Sequence, residues 1–315
     1  MTRGEKIVNM IGVVVPFLGF IAAVVLLWNK AIDLIDVGIM VATYVAVGFG
    51  VTVGYHRMLT HRSFQTSKPM EYLFAILGSM SLQGPVLDWV ADHRKHHAHT
   101  DEEGDPHSPH VGGGHGLRGL IHAHVGWIFV NQGQADWRKY ARDLYEDETM
   151  KTINRLFPLW ALLSVGIPAL AGFVLHGFTA EGALRGLVWG GLVRIFFLHH
   201  ITWSINSVCH FFGQRRFDVE DHSTNVALLA LPSLGEAWHH NHHAFPRSAS
   251  HGMKRWEAAM DPSAWLIAGM EKVGLVWNVV RITPERQAQK LAPVVAAPRA
   301  AARVEREAER EKVGV

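Results

Sequence analysis

The sequence predicts an all-α integral membrane protein with four membrane-spanning helices. Its hydrophobic content is 49% and its mean hydropathy is +0.09, although the chain also carries 30 Lys and Arg and 28 Asp and Glu residues. Such a mixed average is typical of membrane spans joined to a polar, water-facing part. In addition, the apolar residues are concentrated in segments of about 20 residues, the length that crosses a hydrocarbon core.

The predicted spans differ in how continuous their apolar character is. The first carries no charge, and we expect it to be an uncleaved span, because a signal peptide has a shorter apolar region and a small-residue cleavage site after it. The second has Asp36 near its start and the third has His176 near its end. The fourth begins with Arg185 and contains Arg194. The four spans are residues 7–28, 34–55, 157–180 and 184–208.

A fifth apolar stretch, residues 72–87, is too short for a membrane crossing. It also contains Gln83, Gly84 and Pro85, which interrupt a regular helix. We therefore expect this stretch to be buried, interfacial or re-entrant.

The topology follows from the short connectors, which join the spans into two hairpins. The N-terminus and the two long polar segments, residues 56–156 and 209–315, then lie on the same side of the membrane. That side is rich in lysine and arginine, so the positive-inside rule makes it cytoplasmic, and both termini with it. The basic residues are Arg3, Lys6, Arg57, Arg62, Lys68, Arg94, Lys95, Arg138 and Lys139.

Charge and cysteine content exclude several classes of function. A net charge of +2 gives no indication of a nucleic-acid partner. Cys209 is the single cysteine, so neither a disulfide within the chain nor a zinc site with several thiolates can form. A site in this chain has to use imidazole, since the sequence has 21 histidines.

Histidines cluster at three places on the predicted cytoplasmic side. His56 and His61 follow the second span; five residues apart, they cannot share a face of a regular helix, so we expect one at the helix end and the other just beyond it. The other two clusters repeat the spacing H-x-x-H-H, which places three imidazoles on one helical face and aims them at one point. Their members are His93, His96 and His97, and His239, His242 and His243.

These clusters predict a metal site. One tetrahedral zinc needs four ligands, so the three clusters suffice for two ions, and iron, copper and zinc are the metals that favour imidazole. The alternative is a set of surface histidines without a role. This alternative is reasonable for a single histidine. It does not account well for three clusters that converge from membrane-adjacent positions.

The remaining histidines have weaker patterns. His240 faces away from its neighbours by spacing. Most of those in the Gly- and Pro-containing loop after the second cluster are expected to be solvated or to lie around the site: His99, His107, His110, His115, His122 and His124. The histidines without a supporting pattern are His199, His200, His222 and His251.

The motifs HRMLTHRSF, DHRKHH and GEAWHHNHHAFP resemble the three histidine boxes of the integral-membrane fatty acid desaturases. The likeness is greatest to the delta-9, stearoyl-CoA type, in its bacterial form without a fused cytochrome b5. It includes DPHSP, HVGW and TWSINSVCHFFG and covers roughly residues 35–280. It implies a fold of four transmembrane helices with a helical cytosolic cap that holds a di-iron site. The implied reaction removes two hydrogens from an acyl chain, using O2 and two electrons.

The resemblance also implies a ninth ligand, His210, and an asparagine, Asn206, that reaches the metal through water. Spacing agrees, because Thr202, Asn206 and His210 are four apart and form one stripe on the fourth span. The alternative for such a stripe is hydrogen bonding between membrane helices. The implied cofactors are two iron ions, with zinc in their place on overexpression.

Further residues are candidates around this site. Metal-bound imidazoles need acceptors for their second nitrogens, and acids near the boxes can serve, although solvated acids are the alternative. Arg194 inside a span is a functional candidate by default, or it snorkels or pairs with an acid. The candidate acceptors are Asp92, Asp105, Asp221 and Glu236. The resemblance implies a substrate tunnel lined by Gln83, Trp89, Thr202 and Trp203.

The resemblance weakens at the substrate head group. Animal acyl-CoA enzymes have an asparagine and an arginine where this chain has Gly84 and Ala91. Basic residues elsewhere can replace these two contacts, since phosphate recognition favours Arg and Lys. Alternatively, the same basic residues face anionic lipid head groups. We expect a saturated C16–C18 chain, a double bond at C9, and acyl-CoA rather than acyl-lipid or acyl-carrier thioester. The candidate head-group residues are Arg57, Arg62, Lys68, Arg94 and Lys95.

The C-terminal residues 283–315 are rich in alanine and charge, so we expect a desaturase domain over residues 1–282 followed by a solvated tail with one short helix at most. Electrons are then expected from a separate carrier, a ferredoxin or cytochrome b5 with its reductase.

Two other functions stay open. A related di-iron hydroxylase of alkanes, sterols or carotenoids shares the boxes, whereas a metal transporter or store is disfavoured because nearly all the histidines lie outside the spans.

Overall fold

The computed structural model describes residues 1–28, 32–111 and 115–291. It is mostly helical, as the sequence predicts. Two helices pass directly into segments with the wider π-helical hydrogen-bond pattern, Gly50–Thr60 and Leu187–Val193, and short 3-10 turns occur at Gly126–Phe129 and Val208–His210. The α-helices are α1 Arg3–Trp28, α2 Leu34–Phe49, α3 Lys68–Ser79, α4 Val86–Ala98, α5 Gly116–His124, α6 Trp137–Tyr140, α7 Arg142–Tyr145, α8 Glu148–Arg155, α9 Phe157–Leu175, α10 Ala180–Gly186, α11 Arg194–Ser207, α12 Ala227–Ala230, α13 His239–Ala244, α14 Arg255–Ala258, α15 Pro262–Lys272 and α16 Pro284–Gln289.

Among the described residues, three helices are long and apolar enough to cross a membrane: Arg3–Val25, Leu34–Thr60 and Phe157–Leu175. They correspond to the first three predicted spans. The fourth predicted span is occupied by α10, the π-helical segment Leu187–Val193 and α11 in direct succession. That run is helical throughout, and its crossing of the membrane stays a prediction.

The short apolar stretch 72–87 is not one helix. It comprises the end of α3, a turn and the start of α4, and Leu82 and Gly84 in the turn have positive φ angles of 60° and 118°. The stretch packs against the π-helical segment Gly50–Thr60 so closely that a Cβ on Gly50 would lie 2.3 Å from the Leu77 carbonyl carbon. It is therefore largely buried, one of the three placements that its length allowed.

A small two-stranded sheet lies in the part of the protein outside the predicted spans. Strand β1, Gln65–Thr66, follows the first histidine box and pairs antiparallel with β2, Val276–Trp277. A buried apolar cluster beneath it includes Leu59, Leu87 and Ile267 and joins α3, α4 and α15. This packing holds the first two histidine boxes side by side.

Polar residues that interrupt three predicted spans meet at the end away from the histidine boxes. Asp36 of α2 is buried, and it accepts hydrogen bonds from the Arg185 Nε at 3.0 Å and pairs with the His176 Nε2 at 3.1 Å. A buried carboxylate is tolerated when it is paired and hydrogen-bonded. This contact joins the two hairpins.

Arg194 is fully buried and donates hydrogen bonds to three backbone carbonyls, one of which has lost its helical partner. Pro168 has no N–H, so the carbonyl of Ser164 four residues earlier loses its helical hydrogen bond. Arg194 Nη2 donates to that carbonyl at 2.8 Å, Nη1 donates to the Met80 carbonyl at the end of α3, and Nε donates to the Gly190 carbonyl. Within the described residues it has no acidic partner and does not reach solvent, so neither snorkelling nor an acid pair applies. We infer a structural role.

We expect Arg194→Met to lower the free energy of unfolding in detergent by about 1–3 kcal/mol, the cost of leaving one buried carbonyl, that of Ser164, without a donor. The Met80 and Gly190 carbonyls keep the hydroxyls of Ser164 and Thr43 as donors. Chemical unfolding followed by tryptophan fluorescence measures the change. Arg155→Met, at an exposed position of α8, is the matched control and should have little effect. Equal loss in both variants would contradict the role given to Arg194.

The described end of the chain remains attached to the body. Helix α16 is the short helix expected in the C-terminal segment, and after it the Lys290 carbonyl accepts a hydrogen bond from the Asp218 amide at 2.8 Å. Lys290 Nζ donates to the Ala244 carbonyl at the end of the third box. Residues 283–291 are thus bound to the domain, whereas residues 292–315 of the expected tail lie outside the described residues.

Candidate metal centre

The first histidine box depends on a π-helical backbone. The amide of His61 donates to the carbonyl of His56 at 3.1 Å, an i→i+5 hydrogen bond, and the two imidazole rings are 4.8 Å apart. In this wider helix, residues five apart lie nearly above one another. The expectation that His56 and His61 cannot share a face holds for a regular helix, and here the backbone is π-helical, so the two rings meet; His56 lies inside the segment and not at its end. His61 does lie one residue beyond the helical segment, as expected.

The second and third boxes lie on α4 and α13, and their side chains meet those of the first box. His242 Nε2 is 3.1 Å from His56 Nε2 and 2.9 Å from His97 Nε2. His210 Nε2, at the end of the 3-10 turn Val208–His210, is 2.9 Å from His239 Nε2. The structure thus brings all nine proposed ligands together. One group holds His56, His61, His93, His97 and His242, and the other holds His96, His210, His239 and His243.

Each H-x-x-H-H box contributes to both groups, so its three histidines do not aim at one point as expected. His93 and His97 belong to one group and His96 to the other. The physical reason is that neighbouring helical residues point about 100° apart, so the i, i+4 pair stays together while the residue at i+3 diverges. The third box divides in the same way, with His242 apart from His239 and His243.

These imidazoles fit two metal ions. The Nε2 atoms of His61, His93 and His96 are buried without a hydrogen-bond partner, as is that of His243. A buried polar atom without a partner costs about 1–3 kcal/mol, and a metal ion would remove that cost. With imidazole as the donor in both groups, the chemistry suits iron, copper or zinc. Asn206 lies beside the groups and lines the adjoining cavity.

Carboxylates hold the second ring nitrogens of several box histidines. His96 Nδ1 is 2.9 Å from Asp105, and His243 Nδ1 is 2.8 Å from Asp221. His56 Nδ1 contacts Glu236. Such contacts fix the tautomer, so that Nε2 is left as the metal-binding atom. Three of the four proposed acceptors are therefore placed beside a ligand.

Asp92, the fourth proposed acceptor, has a different partner. Its carboxylate accepts hydrogen bonds from the amides of Gly133 and Ala135 at 2.6 and 3.2 Å, so it fixes that loop instead of a histidine. Burial raises the pKa of Asp92 to about 7. Sequence reasoning missed Asp101, whose carboxylate lies 2.9 Å from His210 Nδ1. The one available signal was an acid directly after the second box.

Burial favours the neutral, metal-binding form of most box imidazoles, whereas at His96 burial is outweighed by the carboxylate of Asp105, which raises the pKa. Burial lowers the pKa of His93 and of His242 well below the usual value, and neighbouring imidazoles lower it further. The acid Glu236 is shifted toward its charged form. Burial raises its pKa, but His56, His251 and Arg57 outweigh burial and lower the pKa to about 2. The second nitrogens therefore face ionised carboxylates.

Two histidines outside the predicted set border the centre. His251, for which the sequence gave no pattern, is fully buried, its ring centroid lies 4.5 Å from that of His242, and it faces Glu236. His107 lies 4.3 Å from His96 between ring centroids. By contrast, His240 bonds to the Phe217 amide at 2.9 Å and stays outside both groups, as its spacing predicts.

Other histidines bond to the surrounding backbone and side chains. His110 Nε2 lies 2.7 Å from the carbonyl of the proposed ligand His210, and His199 Nε2 lies 2.8 Å from the Ser81 carbonyl. His124 contacts both His200 and Ser207 at 3.0 Å. These contacts support the elements that hold the centre. His99 contacts the Tyr140 hydroxyl at 3.3 Å.

A cavity whose surface is mostly apolar adjoins the metal-binding groups. All four proposed tunnel residues line it, together with His56, His93 and His239. Gln83 Nε2 donates to Thr202 Oγ1 at 3.0 Å, and Trp89 Nε1 donates to Gln83 Oε1 at 3.4 Å. Val51, Leu198 and Ile201 extend the lining along the predicted spans. The cavity can hold an apolar chain against the histidine groups.

The proposed head-group residues occupy different environments. Arg57 is fully buried and bonds to Glu236, Asp261 and the Ala249 carbonyl, so it does not fit a head-group role. Arg94 is largely buried and bonds to Asp143 and to three backbone carbonyls. Two of the other cations are well exposed on the side chain, Arg62 at 63% and Lys68 at 61%, and line one cleft with Arg247, Glu71 and Asp143.

The fold and the site define a class of protein. Helices of membrane-spanning length, a mostly apolar cavity and two groups of buried imidazoles at its wall are typical of membrane-bound oxidoreductases that act on apolar chains. Within this class, the chain belongs to the fatty acid desaturase family, whose model matches residues 36–276. All three histidine boxes lie within the matched residues.

Curated relatives carry different substrates in their names. The chain is 44% identical over 285 residues to a hex-5-enoyl-[acyl-carrier protein] acetylenase of Moorena producens, covering 89% of this chain and 88% of that protein. It is 36% identical to an sn-1 stearoyl-lipid 9-desaturase of Anabaena variabilis, covering 77% and 83%. It is 37% identical to delta-9 acyl-lipid desaturase 1 of Arabidopsis thaliana, covering 80% and 77%.

Proposed function

We propose that this desaturase introduces a cis double bond at C9 of a saturated C16–C18 acyl chain, using two iron ions and O2. The observation that carries the proposal is the cavity that ends at His56, His93 and His239. The net reaction converts one CH2–CH2 unit, O2, two electrons and two protons into CH=CH and two waters. The delta-9 position rests on the named relatives and on the matching tunnel residues.

The residues have separable roles in this proposal. When bound, the irons would supply the activation of O2 that attack on an unactivated methylene requires. The box imidazoles would hold them, while Asp105, Asp221 and Glu236 keep the imidazoles in the metal-binding tautomer. Trp89 and the Gln83–Thr202 pair set the course of the cavity and so the carbon that reaches the centre.

For the head group we propose an acyl thioester, with acyl-CoA first. The exposed cations Arg62, Lys68 and Arg247 in one cleft support an anionic carrier, although Glu71 and Asp143 share that cleft. The deciding experiment supplies purified, iron-loaded protein and a reducing system with stearoyl-CoA, stearoyl-acyl-carrier protein or stearoyl-phospholipid. Gas chromatography–mass spectrometry then identifies the product. Desaturation of phospholipid alone would refute the thioester, and an alcohol in place of an alkene would instead indicate a hydroxylase.

We also propose that both long polar segments and the metal centre face the cytoplasm. In a Cys209→Ser background, Glu103→Cys and Glu220→Cys should be protected from an impermeant maleimide in intact cells, whereas Glu181→Cys should react. The native cysteine is buried, and all three glutamates are exposed. The two protected sites lie in the two long segments and Glu181 in the connector between the last two predicted spans. Different protection of Glu103→Cys and Glu220→Cys would contradict four spans.

A further inference from the structure

An exposed aromatic side chain with two cationic neighbours lies on α14, outside the metal centre. Trp256 is 48% exposed, and Lys254 and Arg255 directly before it are also exposed. Large exposed aromatics that are flanked by polar residues are typical of binding surfaces. We call Lys254, Arg255 and Trp256 the cationic tryptophan face.

This face contacts the metal centre through a second tryptophan. The rings of Trp256 and Trp238 are 4.9 Å apart between centroids, at an interplanar angle of 85°. Trp238 is only 1% exposed and directly precedes the proposed ligand His239 in the chain. Its carbonyl also accepts a hydrogen bond from the His242 amide at 3.1 Å. The exposed Trp256 is thus connected to both histidine groups. It contacts the ring of Trp238, which is bonded covalently to His239 and accepts a hydrogen bond from His242.

The charge of this face is positive. Glu257, the acid on the same short helix, is only 3% exposed, because its carboxylate accepts hydrogen bonds from the Asn241 side chain and from the amides of Met253 and Lys254. Glu257 faces two cations, Arg216 at 3.5 Å and Lys254 at 4.0 Å, and the exposed Arg255 adds a third positive charge. A surface of one charge sign attracts a partner of the opposite sign and accelerates its association.

We propose that the cationic tryptophan face docks an acidic protein that carries one electron at a time, and that electrons enter the metal centre through Trp256 and Trp238. The inference rests on the proposed function, since that reaction consumes two electrons. Anchoring in lipid headgroups is the other use of an exposed tryptophan. It gives no reason for the contact with buried Trp238, so the carrier is favoured.

The test uses full-length, iron-loaded protein with a plant-type [2Fe–2S] ferredoxin, kept reduced by NADPH and its reductase, as the probe. Trp256→Leu is compared with Trp265→Leu, a matched control that is 52% exposed on α15. The double reversal Lys254→Glu with Arg255→Glu is compared with Lys272→Glu with Arg286→Glu, which alters the same net charge elsewhere. Each protein is assayed with ferredoxin over a range of salt and, separately, with dithionite and methyl viologen. Binding of oxidised ferredoxin is measured by isothermal titration calorimetry without turnover, and both test variants should bind it more weakly than the unaltered protein and the controls.

We expect Trp256→Leu to lower kcat/KM for ferredoxin about tenfold, the effect of removing one interface hot spot. The double reversal should raise the KM for ferredoxin about tenfold and weaken its salt dependence, because electrostatic steering is lost. Turnover with the small reductant and all control values should stay unchanged. Equal loss with both reductants would indicate a merely structural tryptophan and overturn the proposal.

Unchanged ferredoxin kinetics in either test variant would also overturn the proposal. This includes the outcome in which Trp256→Leu alters only binding to lipid vesicles, which would indicate a lipid anchor. Failure of the proposed function is distinguishable, because the unaltered protein would then form no alkene with either reductant.

Discussion

Replacing His242 with alanine is expected to abolish desaturation and to lower the iron content of the purified protein. His242 Nε2 lies 3.1 Å from His56 Nε2 and 2.9 Å from His97 Nε2, so it sits at the middle of its group. Losing an acceptor behind a metal ligand already costs about 10–100-fold in metal affinity or activity, and losing the ligand itself should cost more. Metal analysis by mass spectrometry and product analysis on the same sample measure both effects.

The matched control for this prediction is His240→Gln in the same box. His240 is equally buried, but it bonds to Phe217 and belongs to neither group, so the variant should keep both metal ions even if its stability falls. His96→Ala, in the second group, should behave like His242→Ala. Circular dichroism would show that the helices remain. Two irons and normal turnover in His242→Ala, or fewer than two irons in the active unaltered protein, would contradict the di-iron centre.

The second large effect is expected from Arg57→Met, which should destabilise the fold by about 3–5 kcal/mol, the cost of breaking a buried ion pair. Arg57 has no exposed surface and lies 2.9 Å from Asp261 and 3.1 Å from Glu236. Methionine keeps much of the volume but leaves two buried carboxylates without their cation. Chemical unfolding in detergent, followed by tryptophan fluorescence, measures the loss.

Arg62→Met is the control, because its side chain is 63% exposed and its pair with Asp143 faces solvent. Exposed ion pairs contribute roughly 0–1 kcal/mol, so little change is expected. If Arg57 instead bound a substrate head group, Arg57→Met would raise KM for the thioester and leave the unfolding free energy unchanged. Because Glu236 also contacts His56, we expect weaker iron retention in Arg57→Met as well.

The sequence by itself determined the features that depend on local pattern. Uninterrupted apolar length located the spans, three of which correspond to helices of sufficient length and hydropathy. The spacing of the boxes identified eight of the nine histidines that the structure collects, and the resemblance of the motifs added His210 and named the family that the comparisons confirm. These are properties of neighbouring residues, so no knowledge of packing was needed.

Only the tertiary structure decided how those residues combine. The π-helix at His56, the meeting of the three boxes, and the contact of Asp101 with His210 depend on how segments that are distant in the chain approach one another. Arg57 and Arg194 resembled surface or functional cations in the sequence, yet both are buried structural donors. Their partners lie far away in the chain, for example Asp261 for Arg57 and Ser164 for Arg194. Side-chain burial and pairing are set by contacts between distant segments, which a local pattern does not contain.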